Sequence, residues 1–90
     1  MREVLAALIE DTSRQIELLD YAIRAQDPER CKRLAHYCKG ACANLGANAA
    51  AAVLRRMEHE ALARDFEHCA ESLAALGTEL DRLRAEAESL

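Results

Sequence analysis

In the stretch from Leu34 to Ala47, LAHYCKGACANLGA, a histidine is followed three residues later by a lysine and then at once by a glycine. Imidazole is the one side chain here that is both nucleophilic and partly neutral near physiological pH. An ammonium within one turn of it suits a phosphoryl group, whose transfer needs positioning and charge neutralisation. Glycine inside a helix costs about 1 kcal/mol relative to alanine, and this chain uses alanine freely. Gly40 therefore reads as a side chain removed where backbone or a partner must come close. Without that glycine, His36 would read as an ordinary solvated surface histidine.

The element that must carry these residues is a helix. At 100° per residue, Cys31, Leu34, Ala35, Cys38, Cys42 and Leu45 fall in one arc, which predicts the buried stripe. His36 lies well outside it. Gly40 and Ala43 sit near His36, and Lys32, Arg33 and Lys39 flank the same exposed side. The patch is thus an imidazole with small residues beyond it and a basic surround.

Three further helices are expected around this one. From Glu3 to Ala25 the apolar positions Leu5, Leu8, Ile9, Ile16, Leu19 and Ile23 recur at three- and four-residue intervals. The QDP sequence ends that helix, with Asp27 able to cap the next and Pro28 at its first position, and the second helix runs to about Asn44. In NLGAN, Gly46 can close a helix in the left-handed conformation and Asn48 can cap a third helix over about Ala49–Ala63. ARDF leaves two alternatives, a turn capped by Asp65 or a continuous helix. The last segment repeats Leu73, Leu76, Leu80, Leu83 and Ala87 at helical spacing, with Gly77 lowering its propensity, and should reach nearly to Leu90. Four amphipathic helices with short loops predict an all-α antiparallel up-down-up-down four-helix bundle, one domain over residues 1–90.

Composition agrees with this and narrows the function. Hydrophobic residues make up 51% of the 90 and charged residues 31%, with one proline and three glycines, a helical rather than a sheet balance. The net charge of -4 and the pI near 5.3 argue against nucleic acid as the main partner. VLAALI, an apolar run of six, is too short for a signal-peptide core or a membrane span, so a cytoplasmic protein is expected. Without a secretory signal, Cys31, Cys38, Cys42 and Cys69 read as reduced thiols rather than a disulfide framework.

At this point the residues resemble a known family. LAHYCKGACANLGA is similar to the signature of histidine phosphotransfer (HPt) domains, in which HxxKG is followed by small residues and a Leu-Gly turn. EVLAALIEDT resembles the first helix of that family, AIRAQD its approach to the acceptor helix, and LRRMEHEALARDF its third helix and the following turn. Two departures stand out: Cys38 occupies a usually aliphatic position, and the turn near Asp65 is short and lacks a glycine.

The resemblance implies a phosphorelay intermediate. His36 would accept a phosphoryl group from the aspartate of one response-regulator receiver domain, or from a hybrid sensor histidine kinase, and pass it to another receiver aspartate. Lys39 would stabilise the phosphoryl charge, and Gly40, Ala43, Lys32 and Arg33 would form the receiver docking surface. No intrinsic cofactor is implied, since the receiver brings magnesium, and a monomer that binds neither membrane nor nucleic acid is expected. Nothing resembles a glycine-rich nucleotide loop, so the phosphate must come from a partner. If the turn after the second helix is centred near Ala47, Glu58 lies as far after it as His36 lies before it, and the hairpin sets them level. In the family an acidic or amide side chain there bonds the imidazole, so Glu58 would hold Nδ1-H and leave Nε2 free.

Other readings carry less. A Cys/His metal or redox site is disfavoured because the three cysteines of the second helix share the buried arc while His36 points away, and no pair has CxxC spacing. His59 and His68 lack a glycine one turn on, and HEALA lacks the second histidine of a zinc-protease helix, so both read as surface residues. A helical scaffold, suggested by the leucine spacing of the last helix, would require stable self-association.

Overall fold

The computed structural model describes residues 2–89, apart from the side chains of Arg2, Val4 and Leu5, so Leu5 of the expected first stripe lies outside the described residues. It contains α1 (Arg2–Arg24), α2 (Pro28–Asn44), α3 (Asn48–Leu62) and α4 (Phe66–Glu88). Each helix packs on two neighbours in the ring α1-α2-α3-α4, and neither diagonal pair meets among the described residues. Tyr37 bonds Asp11, Glu58 meets His36, and Ser72 bonds Glu60. Each pair straddles an intervening turn almost symmetrically, as consecutive antiparallel helices require. The four-helix bundle expected from the periodicity is the fold found.

The core is built from the predicted stripes. Leu19, Leu54, Met57 and Leu76 are its largest fully buried side chains, and Cys31, Ala35, Cys38 and Cys42 form the inner face of α2. Leu34 is half-buried against this core. Leu45 departs from expectation at 41% exposed. The helix ends at Asn44, so Leu45 leaves the helical wheel on which its burial was projected. All four cysteines are free and buried. Burial, helped by the neighbouring Cys42 and Asp11, pushes the Cys38 thiol up to about 12, so its thiolate is scarce at neutral pH.

The three connections share one local structure. After α2, the Gly46 amide donates to Ala43 O (3.1 Å) and the Ala47 amide to Cys42 O (2.8 Å), with Gly46 at φ 77°. This paired closure around a left-handed residue is the Schellman motif. The same pair of bonds closes α1 around Gln26 (φ 53°) and α3 around Arg64 (φ 58°). The ARDF stretch is therefore a turn and not a continuous helix. Asp27 and Asp65 then cap α2 and α4 by accepting from the Arg30 and His68 amides, each at 3.2 Å.

Asn48 does not cap α3 as its residue type suggested. The chain reverses so tightly at Gly46 that buried Ala47 occupies the cap position, without a side-chain bond, and Asn48 is already the first helical residue. Left-handed backbone costs a residue with a Cβ roughly 1–2 kcal/mol. Arg64→Gly should accordingly stabilise the bundle by about 0.5–1 kcal/mol, and Gly46→Ala should destabilise it by a similar amount. Urea unfolding curves check both signs.

Candidate functional site

α2 presents His36, Lys39 and Gly40 on its outer side because its inner arc is filled by the cysteines and Ala35. The His36 side chain is 71% exposed, and its Nδ1 lies 3.4 Å from Glu58 Oε2. The other oxygen of the same carboxylate, Oε1, lies 2.7 Å from Lys39 Nζ. Glu58 thus divides its two oxygens between the imidazole and the ammonium. The Lys39 contact is the shorter and is charge-assisted, so it is the stronger anchor, and the imidazole contact orients more than it binds. At this distance Nδ1 is placed to donate to the carboxylate in the tautomer that carries its proton there.

Glu58 is largely covered, its side chain only 15% exposed. Burial raises its pKa, but the hydrogen bonds and positive charges of Lys39 and His36 outweigh burial and hold the carboxyl below its ordinary value of 4.5. It is ionised at neutral pH and fixed in place.

Beyond His36, a Cβ built on Gly40 would meet no atom within 4 Å, so the position opens to solvent. It forms, with Ala43, Ala51 and Ala52, the floor of a groove of about 740 Å³ between α2 and α3. Lys39, Arg55, Arg56 and His59 line the same groove. On the other side of His36, Lys32 and Arg33 border a smaller depression together with Glu29. Every predicted site residue therefore lies on one face. Among the described residues, Lys32, Arg33, Arg55 and Arg56 form no ion pair with a carboxylate.

Arg55, Arg56 and the groove-lining position of His59 are absent from the sequence reading, although the hairpin arithmetic that levels Glu58 with His36 also levels Arg55 with Lys39. Tyr37 is a second omission: its hydroxyl donates to Asp11 Oδ2 at 3.2 Å and ties α2 to α1 beside the site. Its side chain is not on the predicted stripe, and only the α1 register reveals the partner.

No group of three or more His, Cys, Asp and Glu among the described residues is arranged to hold a metal ion. The cysteines lie inside while His36 faces out, as the helical wheel indicated. No helix of the described residues is long and apolar enough to cross a membrane.

Comparison with known families gives one result: the model described as Hpt domain matches residues 3–86. No curated protein and no solved structure matches the chain.

A carboxyl whose pKa is lower folded than unfolded adds stability above the unfolded value and loses it as pH falls through the folded value. Glu58 therefore stabilises the bundle fully above about pH 5, and its contribution fades as pH drops below 4.5. Glu58→Gln should be less stable than the wild type at pH 7, with the gap narrowing toward pH 3. Urea titrations across that range measure the gap.

Proposed function

The chain belongs to the Hpt domain family, whose work is histidine-containing phosphotransfer in phosphorelays with receiver domains and kinases, and on that premise we propose that His36 is its phosphoryl carrier. The observation that carries this reading is the exposed ring of His36, its Nδ1 at 3.4 Å from Glu58 Oε2, with Lys39 and open Gly40 within one turn.

In the accepting step the Nε2 lone pair attacks the phosphorus of an aspartyl phosphate on a receiver domain. The bond between phosphorus and the carboxyl oxygen breaks, and the aspartate leaves as a carboxylate with the bonding pair. The ring keeps its Nδ1 proton on Glu58, whose negative charge balances the charge the ring acquires. A second receiver's aspartate then attacks phosphorus from the opposite side, and Nε2 leaves with its lone pair restored. A hybrid sensor kinase is the source upstream of the first receiver.

Lys39 serves two charges. It neutralises Glu58, which would otherwise repel an incoming phosphoryl group, and as a cation one turn from His36 it stabilises negative charge on the transferring oxygens. Gly40, Ala43, Lys32 and Arg33 give the receiver close access and favourable charge. Magnesium belongs to the receiver's acidic cluster, and the carrier itself is a cytoplasmic monomer.

The test is a panel of phosphorylated receiver domains from the same genome. At least one should transfer acid-labile label to His36, His36→Gln should take none, and ATP alone should label nothing. Label on His59 or His68, or labelling by ATP alone, overturns the assignment.

Gly40 gives a second test with opposed signs. Gly40→Ala should raise stability by about 0.5–1 kcal/mol, while Gly40→Gln should fold normally yet slow transfer by obstructing the approach to Nε2. Thermal melts and transfer kinetics read the two effects separately.

A further inference from the structure

On the far side of the ring from the His36 face, α1 and α4 pack side by side and leave a groove of about 530 Å³ between them. Its apolar lining is short: Ala6 and Ile9 come from α1 and Ala87 from α4. Two of the polar groups beside them are already satisfied within the protein. Ser13 Oγ donates to Ile9 O at 2.7 Å and accepts from Arg84 Nη2 at 3.3 Å, while Arg84 Nη1 donates to Asp81 Oδ1 at 3.3 Å. Glu10 on α1 and Glu88 on α4 also line the groove, and both are exposed and form no ion pair among the described residues. A visitor to this groove therefore meets a hole between small side chains with a free carboxylate on each helix.

The surroundings carry one sign of charge. α1 has five acids against three Lys or Arg and α4 six against two, whereas α2 and α3 together have six Lys or Arg against three acids. Of the arginines on the acidic side, Arg24, Arg82 and Arg84 are occupied by Asp20, Glu79 and Asp81. A second copy of the chain using the same groove would bring Glu10 and Glu88 against their counterparts, and like charges juxtaposed across an interface repel. The complementary occupant has an apolar side chain large enough to fill the hole and cations on either side of it. An amphipathic helix laid along two helices presents its side chains in that order, with an apolar stripe flanked by Lys or Arg.

We infer that the α1–α4 groove is a docking seat for a basic amphipathic helix of a partner protein, whose apolar side chain sits on Ala6, Ile9 and Ala87 and whose Lys or Arg meet Glu10 and Glu88. The seat does not depend on the phosphocarrier reading of His36, and it complements that reading. A carrier must free its imidazole between donor and acceptor, so a partner that stays bound has to hold a different surface. The bundle is 17–18 Å across, about twice the Debye length of roughly 8 Å at physiological ionic strength. A helix seated on α1 and α4 leaves His36 uncovered, and its charge is screened from the imidazole.

The experiment titrates the full chain with a synthetic helix of about five turns, leucine at three- and four-residue intervals and lysine on the flanks, and follows amide shifts by two-dimensional NMR. The amides around Ala6, Ile9, Ser13 and Ala87 should shift, and those of Lys39, Gly40 and Ala43 should not. Glu10→Lys/Glu88→Lys should weaken binding by about tenfold or more at low salt, whereas Glu67→Lys/Glu71→Lys, an equal change of charge at the other end of α4, should stay within about twofold of wild type. Melting curves should show both variants folded. A helix with alanine in place of leucine, at the same charge, should lose binding about tenfold or more, which tests the seat without altering the protein. His36→Gln should bind the leucine helix as wild type does, so the seat stands or falls apart from the carrier role. Shifts centred on the α2–α3 groove, equal weakening by the two charge variants, or undiminished binding of the alanine helix overturns the seat.

Discussion

Glu58 can reach both His36 and Lys39 only while α2 and α3 keep one register, and most of what is distinctive in this protein follows from that. The two α2 residues are three apart, roughly 4.5 Å along the axis at 1.5 Å per residue, and a single carboxylate spans them with one oxygen each. A slip of one residue would rotate Glu58 by about 100° and break both contacts. Gly46 fixes the register by closing α2 at a set residue and starting α3 two positions later. The facing side chains support it: short Ala35, Cys38 and Cys42 on α2 leave room for Leu54 and Met57 from α3.

The same arrangement separates what holds the bundle together from what works on its surface. Apart from the Lys39–Glu58 pair, the stabilising polar contacts named here lie away from the groove: Asp27 and Asp65 cap helices, Ser72 bonds Glu60 between α3 and α4, and Arg84 reaches Ser13 between α4 and α1. The α2–α3 face instead carries features that cost stability or contribute none, namely a mid-helix glycine, unpaired arginines and an exposed imidazole. A mid-helix glycine one turn from an exposed imidazole is the pattern expected where function has been retained against stability.

Much of the fold was legible because helical spacing and turn chemistry are local. Asp27-Pro28 and Gly46 each announce a boundary by their own stereochemistry, and the α2 stripe follows from counting. Arg64 announces nothing, since arginine at positive φ is set by the bonds of Arg64 and Asp65 back to Ala61 and Glu60 and not by its own preference. Asn48 misleads for a related reason: a good capping residue is one position too late when the preceding closure consumes the cap site. In the site, His36, Lys39 and Gly40 lie on one helix and could be read together. Glu58 required a guess at the turn centre, and the groove formed by Arg55 and Arg56 required two helices in fixed register.

A carrier that receives and gives through one nitrogen cannot hold donor and acceptor at once, because each must bring its aspartate in line with the same Nε2. The two partners must exchange on one face, so lasting affinity would slow the relay at every turn. A groove floored by glycine and alanine presents no large side chain as an anchor, and tight association between proteins generally needs large buried anchors. Exposed cations instead speed encounter without prolonging residence, since long-range charge acts mainly on association while close packing governs dissociation. A small-residue floor with a charged wall is therefore suited to rapid succession of partners, and a larger apolar patch at that position would favour one of them at the expense of the transfer to the next.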